Sequence, residues 1–234
     1  MAGYENVIFD LDGTLTDSQN GIVNSLRFAL SRFGIDEADR EALVAFIGPP
    51  LHESFHKQYG FSYEDAGRAV AHYREYFAEK GIYENELYPG IDALLEGLSE
   101  RGAAMMIATT KPGVYAEKIV EHFSIGGYFL TIRGSNLDGT MTEKGELIGS
   151  LVRDHSLRPG KTVMVGDRMH DILGARANVI DSIGVEYGYG SREELQEAGP
   201  THLCRTVDDL ASFFGLSSRK RGGRMGTWFI PLRR

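Results

Sequence analysis

Short apolar runs alternate with longer amphipathic segments along most of this sequence, and this alternation constrains the fold more than any other feature. Five runs have the length and composition of buried strands: Asn6–Phe9, Ala103–Ala108, Tyr128–Ile132, Thr162–Val165 and Ser182–Val185. Segments with helical period lie between most of them: Ile91–Arg101, Val114–His122, Lys144–His155 and Asp171–Ala177. Strands that alternate with helices predict an α/β fold, a doubly wound parallel sheet with helices on both faces.

One interval interrupts the alternation. Residues 18–87 contain no clear strand pattern, and glycine and proline separate their helix-period segments. These segments are Ile22–Phe33, Glu37–Ile47, Leu51–Tyr59 and Tyr63–Lys80. We therefore predict an inserted all-helical domain, residues 18–87, within a discontinuous α/β core of residues 1–17 and 88–216.

Charge separates the C-terminal segment, residues 217–234, from the rest of the chain. The whole sequence has a formal charge of −8, yet this segment holds six Lys and Arg residues and no acidic residue. Without it the chain carries −14, and so acidic a body repels nucleic acid. We expect no nucleic-acid partner and a basic segment that is disordered or not native. Attachment of this segment to nucleic acid, a membrane or another acidic partner is the alternative.

The sequence has no sign of secretion or membrane insertion. Its N-terminal residues reach acidic positions without a basic stretch, and no apolar run approaches the ~18 residues that a membrane span needs. The single cysteine, Cys204, cannot form an internal disulfide. These features predict a cytoplasmic protein without a membrane partner, either a monomer or a homodimer.

Polar residues follow the predicted strands where an open α/β sheet binds its ligands, beyond the strand carboxyl ends. Asp10 and Asp12 follow the first strand, before a turn at Gly13. Two carboxylates on the same side repel each other unless a cation or a proton lies between them. Thr109 and Thr110 follow the second strand, where the N-cap of the next helix is the structural explanation.

Two later strand ends add to this set. Lys144 begins a helix after the third strand, and the fourth strand is followed by Asp167 and Asp171. Several carboxylates suit Mg²⁺, which binds oxygen ligands and phosphate. A lysine and a hydroxyl beside this metal suit a phosphoryl group. Each feature alone has an ordinary structural explanation, but their joint order favours phosphoryl chemistry.

This order resembles the four motifs of the haloacid dehalogenase superfamily of phosphohydrolases. The matching residues are Asp10-Leu11-Asp12-Gly13-Thr14, Thr109, Lys144 and Gly166-Asp167-Arg168-x-x-Asp171. The helical insert after the first motif resembles the cap of the phosphoglycolate-phosphatase-like subgroup. The resemblance covers about residues 4 to 215 and has no counterpart for the basic segment.

The resemblance implies a role for each motif residue. Asp10 would be the nucleophile that forms an aspartyl-phosphate, and Asp12 the general acid and base. Dehalogenases of the superfamily lack this second aspartate, so its presence favours phosphate esters. Mg²⁺ would be held by Asp10, the backbone carbonyl of Asp12 and Asp167, with Asp171 orienting the metal site. The phosphoryl group would be bound by Gly13, Thr109, Thr110 and Lys144.

The resemblance implies a small phosphorylated metabolite as substrate, with phosphoglycolate first. A 5′-nucleotidase or pyrophosphatase of the same fold, and a phosphomutase similar to β-phosphoglucomutase, are the alternatives. A phosphate-binding protein without turnover is the non-enzymatic alternative, which the complete motif set disfavours. The candidate substrate contacts lie in the insert: Gly48, Pro49, His52, Lys57 and Arg74.

Two further patterns are interpreted as structural. His52-Glu53-Ser54-Phe55-His56 matches the HExxH pattern of zinc proteases, whose histidines share one helix face. No third ligand pattern follows it, so we expect no zinc site. Gly184–Ser191 is rich in glycine but lacks a nucleotide-binding fingerprint, and we interpret it as a turn near the site.

Overall fold

A parallel sheet lies at the centre of residues 3–216, the part of the chain that the computed structural model describes. The predicted basic segment, residues 217–234, lies outside the described residues. The strands of the described range are β1 (Asn6–Phe9), β2 (Thr16–Asp17), β3 (Glu86–Leu87), β4 (Ala104–Pro112), β5 (Phe129–Ser135), β6 (Thr162–Gly166), β7 (Asp181–Val185) and β8 (His202–Cys204). Six of them pair in parallel in the order β5-β4-β1-β6-β7-β8. This sheet confirms the predicted α/β fold.

Helices follow most strands and build the insert. Within residues 3–216 the α-helices are α1 (Gln19–Ser31), α2 (Arg40–Val44), α3 (Leu51–Tyr59), α4 (Tyr63–Tyr76), α5 (Ile91–Glu100), α6 (Gly113–His122), α7 (Lys144–Asp154), α8 (Met169–Ala177), α9 (Arg192–Ala198) and α10 (Val207–Phe213). A π-helical turn, Phe77–Gly81, continues α4. None of these helices combines the length and apolar character that crossing a membrane requires.

The sheet buries side chains on both faces, as parallel sheets do. Because successive strand residues point to opposite faces, Val7 and Phe9 join one hydrophobic cluster while Ile8 joins another. The first cluster includes side chains of α5, α6 and α10. The second includes side chains of α7 and α8. The core is therefore a three-layer structure.

The insert, called the cap below, consists of α1 to α4 and the π-helical turn Phe77–Gly81. Its entry and exit segments, β2 and β3, pair with each other in antiparallel register, Thr16 with Leu87 and Asp17 with Glu86. Buried aromatic rings fill its interior, including Phe46 and Phe55 with ring centroids 5.1 Å apart. The chain thus enters and leaves the cap through two hydrogen-bonded neighbours.

The second core strand is longer than the sequence predicts. The predicted run ends at Ala108, whereas β4 continues to Pro112 with an irregular register between Thr109 and Pro112. Thr109 and Thr110 therefore lie in the strand, and the prediction of a helix N-cap there is wrong. The sequence analysis also did not identify β8, α9 and α10. β8 has only three residues, and the seven residues of α9 and of α10 make about two helical turns, too few for a periodic signal.

Candidate active site

The carboxyl ends of β1, β4 and β6 bring together residues that are far apart in sequence. Asp10 directly follows β1, Thr109 lies near the end of β4, and Asp167 directly follows β6. β1 pairs with both other strands, so Asp10 lies between them. The backbone N–H of Asp10 donates to the carbonyl of Val165 at 2.9 Å, which continues the β1–β6 pairing into the site.

Lys144, the first residue of α7, is the central cation of the site. Its Nζ lies 2.9 Å from Oδ1 of Asp10 and 2.8 Å from Oδ1 of Asp171, and it donates to the carbonyl of Ala108 at 2.9 Å. The side chain is almost fully buried. Burial alone lowers the pKa of Lys144, but the charges of Asp10 and Asp171 outweigh it and raise this pKa. The buried lysine is therefore held in its charged form.

Three buried carboxylates form a cluster beside Lys144. Ligand oxygens of Asp10, Asp167 and Asp171 lie within 4.8 Å of one another. Burial raises the pKa of Asp10 to about 6, with Lys144 opposing and Asp171 adding to the rise. Burial raises the pKa of Asp167 to about 8, and the charges of Asp171 and Asp10 add to it. Ionising several carboxylates this close together is unfavourable unless a further cation lies among them. Such a group of hard oxygen donors suits Mg²⁺.

Two glycines allow the chain to pack tightly around Asp167. Its Oδ1 accepts from the Thr14 hydroxyl at 3.0 Å, and its Oδ2 from the backbone N–H of Tyr189 at 2.8 Å. Gly13 has a φ of 82°, and a Cβ there would lie 2.3 Å from Oδ2 of Asp167. A Cβ on Gly188 would lie 2.3 Å from the Cβ of Asp167. The glycine-rich turn after β7 therefore contacts this carboxylate directly.

Asp12 pairs with a lysine that the sequence analysis did not identify. Oδ2 of Asp12 lies 2.7 Å from Nζ of Lys111, whereas its buried Oδ1 has no hydrogen-bond partner among the described residues. The Lys111 ammonium also lies 4.5 Å from the ring centroid of Phe77 in the cap. Because Lys111 and Thr109 are two apart in an extended strand, they share a face. Extending the second strand past Ala108 is the signal that would have found Lys111.

The two threonines predicted to bind phosphate lie beside this pair. Thr109 is buried, and its hydroxyl accepts from the backbone N–H of Lys111 at 3.2 Å. Thr110 is half-buried, and its carbonyl accepts from the Ser135 hydroxyl at 2.7 Å. Thr110 and Lys111 also line a cavity of about 630 Å³ between core and cap.

This cavity brings most of the predicted cap residues opposite Asp12. Gly48, Pro49, His52 and Arg74 all contribute to its lining. Lys57 does not line it; the Lys57 side chain is 74% exposed, and its Nζ lies 3.4 Å from Oε2 of Glu53. The aromatic side chains of the lining are Phe46, Tyr63, Tyr73, Phe77 and Tyr115. The placement of Lys57 therefore does not fit the predicted substrate contact. The sequence could not show this, because helical period alone does not indicate which face of α3 is turned towards the site.

The two histidines of the HExxH pattern each contact a backbone carbonyl. The His52 Nε2 lies 2.9 Å from the carbonyl oxygen of Tyr63, and the His56 Nδ1 lies 2.6 Å from that of Phe61. Both acceptors lie at or near the start of α4, so the two rings join α3 to the chain that follows it. In the described range, neither histidine is part of a cluster with metal-ligand spacing.

Tyrosines connect the site to the cap entry. The hydroxyl of Tyr189 donates to Oδ1 of Asp17 at 2.9 Å and accepts from the backbone N–H of Ser18 at 2.8 Å. The Tyr187 hydroxyl donates to the carbonyl of Thr14 at 3.0 Å. The turn that contacts Asp167 therefore also holds the linker that enters the cap. Sequence reasoning did not identify these tyrosines, because no local pattern encodes contacts across more than 170 residues.

The fold and this arrangement of residues agree with a known family. A family model described as haloacid dehalogenase-like hydrolase matches residues 7–185. The chain belongs to this family. The match confirms the resemblance stated from the motifs, and it makes the protein a haloacid dehalogenase-like hydrolase.

Several individual proteins resemble the chain over most of its length. A 5′-nucleotidase from Pseudomonas aeruginosa is 51% identical over 89% of this chain and 93% of its own. The tyrosine-protein kinase PtkA of Mycobacterium tuberculosis is 36% identical over 90% of this chain and 72% of its own. The crystal structure of a predicted phosphatase from Clostridium acetobutylicum superposes with a TM-score of 0.86 at 43% identity, covering 90% of this chain and 98% of its own.

Proposed function

We propose that the protein is a Mg²⁺-dependent phosphomonoesterase that works through an aspartyl-phosphate. The observation that carries this proposal is the buried Lys144 ammonium, which lies between the carboxylates of Asp10 and Asp171. Oxygens of these two carboxylates and of Asp167 lie within 4.8 Å of one another. Asp12 follows the same strand as Asp10. A cation beside several carboxylates is an arrangement that binds and activates a phosphoryl group.

Asp10 is the nucleophile of the proposed reaction. Its Oδ1 is held by the backbone N–H of Leu11 at 2.7 Å and by Lys144, so Oδ2 attacks phosphorus while the ester oxygen leaves. Asp12 donates a proton from Oδ1 to the leaving oxygen and later takes one from the water that hydrolyses the aspartyl-phosphate. The pairing of its other oxygen with Lys111 orients this carboxyl group.

The carboxylate cluster is the proposed Mg²⁺ site. Asp10, the backbone carbonyl of Asp12 and Asp167 would hold the ion, and Asp171 would orient the site through Lys144 and the first turn of α8. When bound, the metal neutralises charge on the phosphoryl oxygens. The residues that bind the phosphoryl group itself are Gly13, Thr109, Thr110 and Lys144.

The proposed substrate is a nucleoside 5′-monophosphate. Two observations support it over the phosphoglycolate that the motif resemblance favours. The 5′-nucleotidase of P. aeruginosa is 51% identical to this chain. The cavity of about 630 Å³ falls in the range of ~300–1,000 Å³ that accommodates drug-sized ligands, and its aromatic lining suits a nucleobase. A two-carbon phosphate would leave most of it unfilled.

Phosphate release from a panel of esters tests this proposal. The panel contains nucleoside 5′-monophosphates, phosphoglycolate, hexose phosphates and pyrophosphate, each with Mg²⁺ and with a chelator, and Asp10→Asn is the matched control. We expect Mg²⁺-dependent release with kcat/KM for a nucleotide at least about tenfold above that for phosphoglycolate, a difference of about 1.4 kcal/mol. Preference for phosphoglycolate would overturn the substrate, and no release by folded protein would overturn the phosphatase.

Phosphoryl transfer to a tyrosine hydroxyl is a second candidate function. It is favoured by the 36% identity to the protein named tyrosine-protein kinase PtkA. Incubation with labelled ATP and a tyrosine-containing peptide tests it, because a kinase leaves acid-stable label on tyrosine and a phosphatase releases inorganic phosphate. Label on the peptide that disappears with Asp10→Asn would establish transfer by this site.

A further inference from the structure

Arg168 reaches from the carboxylate cluster to the cap. It lies directly after Asp167, and its backbone N–H donates to Oδ2 of Asp171 at 3.0 Å. Nη1 of its side chain donates to the carbonyl of Ile47 in the cap. Arg168 therefore joins the candidate metal site to residues 46–51, the cap loop, which lines the cavity above Asp12.

Glu194 holds the guanidinium of Arg168 within the core. Nε of Arg168 donates to Oε1 of Glu194 at 2.9 Å, and the same oxygen accepts from the backbone N–H of Met169 at 2.8 Å. Each of the two side chains is 21% exposed. The arginine charge is thus neutralised by a core residue, and the contact with the cap is made to a neutral carbonyl.

The cap loop approaches Arg168 closely because residue 48 is glycine. Gly48 has a φ of 110°, and a Cβ there would lie 2.6 Å from Nη1 of Arg168. A side chain at this position would push the guanidinium off the Ile47 carbonyl. The contact therefore depends on one residue from each side, Arg168 in the core and Gly48 in the cap.

We propose that Arg168 is a positioning residue that holds the cap loop closed over the active-site cavity. A charge-assisted hydrogen bond stabilises the closed position. Of the bonds that the Arg168 guanidinium makes, opening breaks only this one, because the ion pair with Glu194 lies wholly within the core and stays intact. The cap can therefore open for product release without leaving a buried charge unpaired.

Hydrogen exchange of the full-length, ligand-free protein tests this proposal without reference to any substrate. The reporters are the backbone amides of Phe46 and Ile47, which donate to the carbonyls of Leu43 and Val44. We expect Arg168→Ala to speed their exchange about tenfold, and Arg168→Lys to do the same, since an ammonium lacks the fork that reaches Glu194 and Ile47 together.

Arg176 offers a matched control on the same helix. Its Nη2 also donates to backbone carbonyls, those of Ala198 and Gly199, but these lie in the core. We expect Arg176→Ala to leave exchange in the cap loop unchanged. Unchanged exchange in both Arg168 variants would overturn the proposal, and so would equal acceleration in Arg176→Ala, which would indicate a general loss of stability.

A double-mutant cycle with Gly48→Ala gives the kinetic test, which rests on the proposed phosphatase. Each single variant should raise KM about tenfold with kcat within about threefold, because the loop binds substrate rather than the reacting atoms. The combined effect of both changes should fall short of the sum of the two single effects, since Arg168→Ala has already removed the contact that Gly48→Ala breaks. The backbone strain of alanine at a φ of 110° remains in both backgrounds. Full additivity would overturn the proposed contact. Absence of turnover in the parent protein would instead overturn the proposed function, and the exchange result would still decide the role of Arg168.

Discussion

The core side and the cap side of the candidate active site, called the core wall and the cap wall below, differ in how their polar groups are held. On the core wall, Asp10, Asp167 and Lys144 are buried, and each has at least two defined polar partners within the core. On the cap wall, Arg74 and His52 are half-buried, and His52 bonds within the cap itself. Fixed groups stabilise charge without reorganisation, whereas loosely held groups adapt to different ligands. We therefore expect the core wall to carry the chemistry and the cap wall to select the substrate.

Asp10→Asn tests the core wall most severely. We expect turnover to fall on the order of 10⁴-fold or more, because an amide cannot replace the attacking carboxylate. The fold should persist, since the substitution removes one charge from a crowded buried cluster. Phosphate release and circular dichroism measure the two effects. An active, folded variant would place the nucleophile elsewhere.

Asp167→Asn should lower activity on the order of 10³-fold and change how stability depends on pH. The folded-state pKa of Asp167, about 8, lies above the ordinary 3.8, so its contribution to stability is complete below pH 3.8 and is lost as pH rises through about 8. The melting temperature of chelator-treated protein should therefore fall from pH 5 to 8, and less steeply in the variant.

The matching control for Asp167→Asn is addition of Mg²⁺ at pH 8. It should raise the melting temperature of the parent protein and have little effect on the variant. An equal rise in both proteins would move the metal away from Asp167.

Lys111→Met tests the junction of the two walls, since Lys111 contacts both Asp12 and Phe77. Methionine keeps the packing on Phe77 but removes the charge, so we expect kcat to fall about 10²-fold with a shifted pH profile. Lys111→Arg should recover part of the loss. The exposed Lys118 on α6 is the control site, and equal losses in Lys111→Met and Lys118→Met would exclude a specific role.

Arg74→Ala and Lys57→Ala compare two cations of the cap. Arg74 lines the cavity, so its removal should raise KM for an anionic substrate about tenfold with kcat nearly unchanged. Lys57 pairs with Glu53 at the surface, and its removal should change KM less than twofold. Steady-state kinetics with the best substrate of the panel measures both. A larger effect at Lys57 would reverse the assignment of these two residues.

The positions of residues that directly follow strands could be predicted from the sequence because of a property of parallel sheets. The carboxyl ends of all strands lie at one edge, so Asp10 and Asp167 could be assigned to one site from their strands alone. Composition and period were enough for this step. The prediction of an inserted cap over residues 18–87 rests on the same kind of pattern, since its segments lack the strand signal.

Contacts between the core wall and the cap wall could not be predicted in this way. Arg168 and Ile47 are 121 residues apart, and Tyr189 and Asp17 are 172 apart. No local sequence pattern indicates such pairs, because within its own segment each of these residues cannot be distinguished from an ordinary surface residue. The placement of Lys57 away from the cavity has the same cause, since period defines a helix but not the neighbour that its faces meet.

The pairing of β2 with β3 has a consequence for the exchange of whole domains. Because the two junctions of the cap are hydrogen-bonded neighbours, we expect an insert whose ends lie side by side to satisfy the geometry of these junctions. A chimera that joins a foreign helical module at Asp17 and Glu86 would keep the core wall and acquire a new upper wall. We therefore expect recombination at these two adjacent points to change the substrate range, while Asp10, Lys144 and Asp167 of the core wall keep their positions.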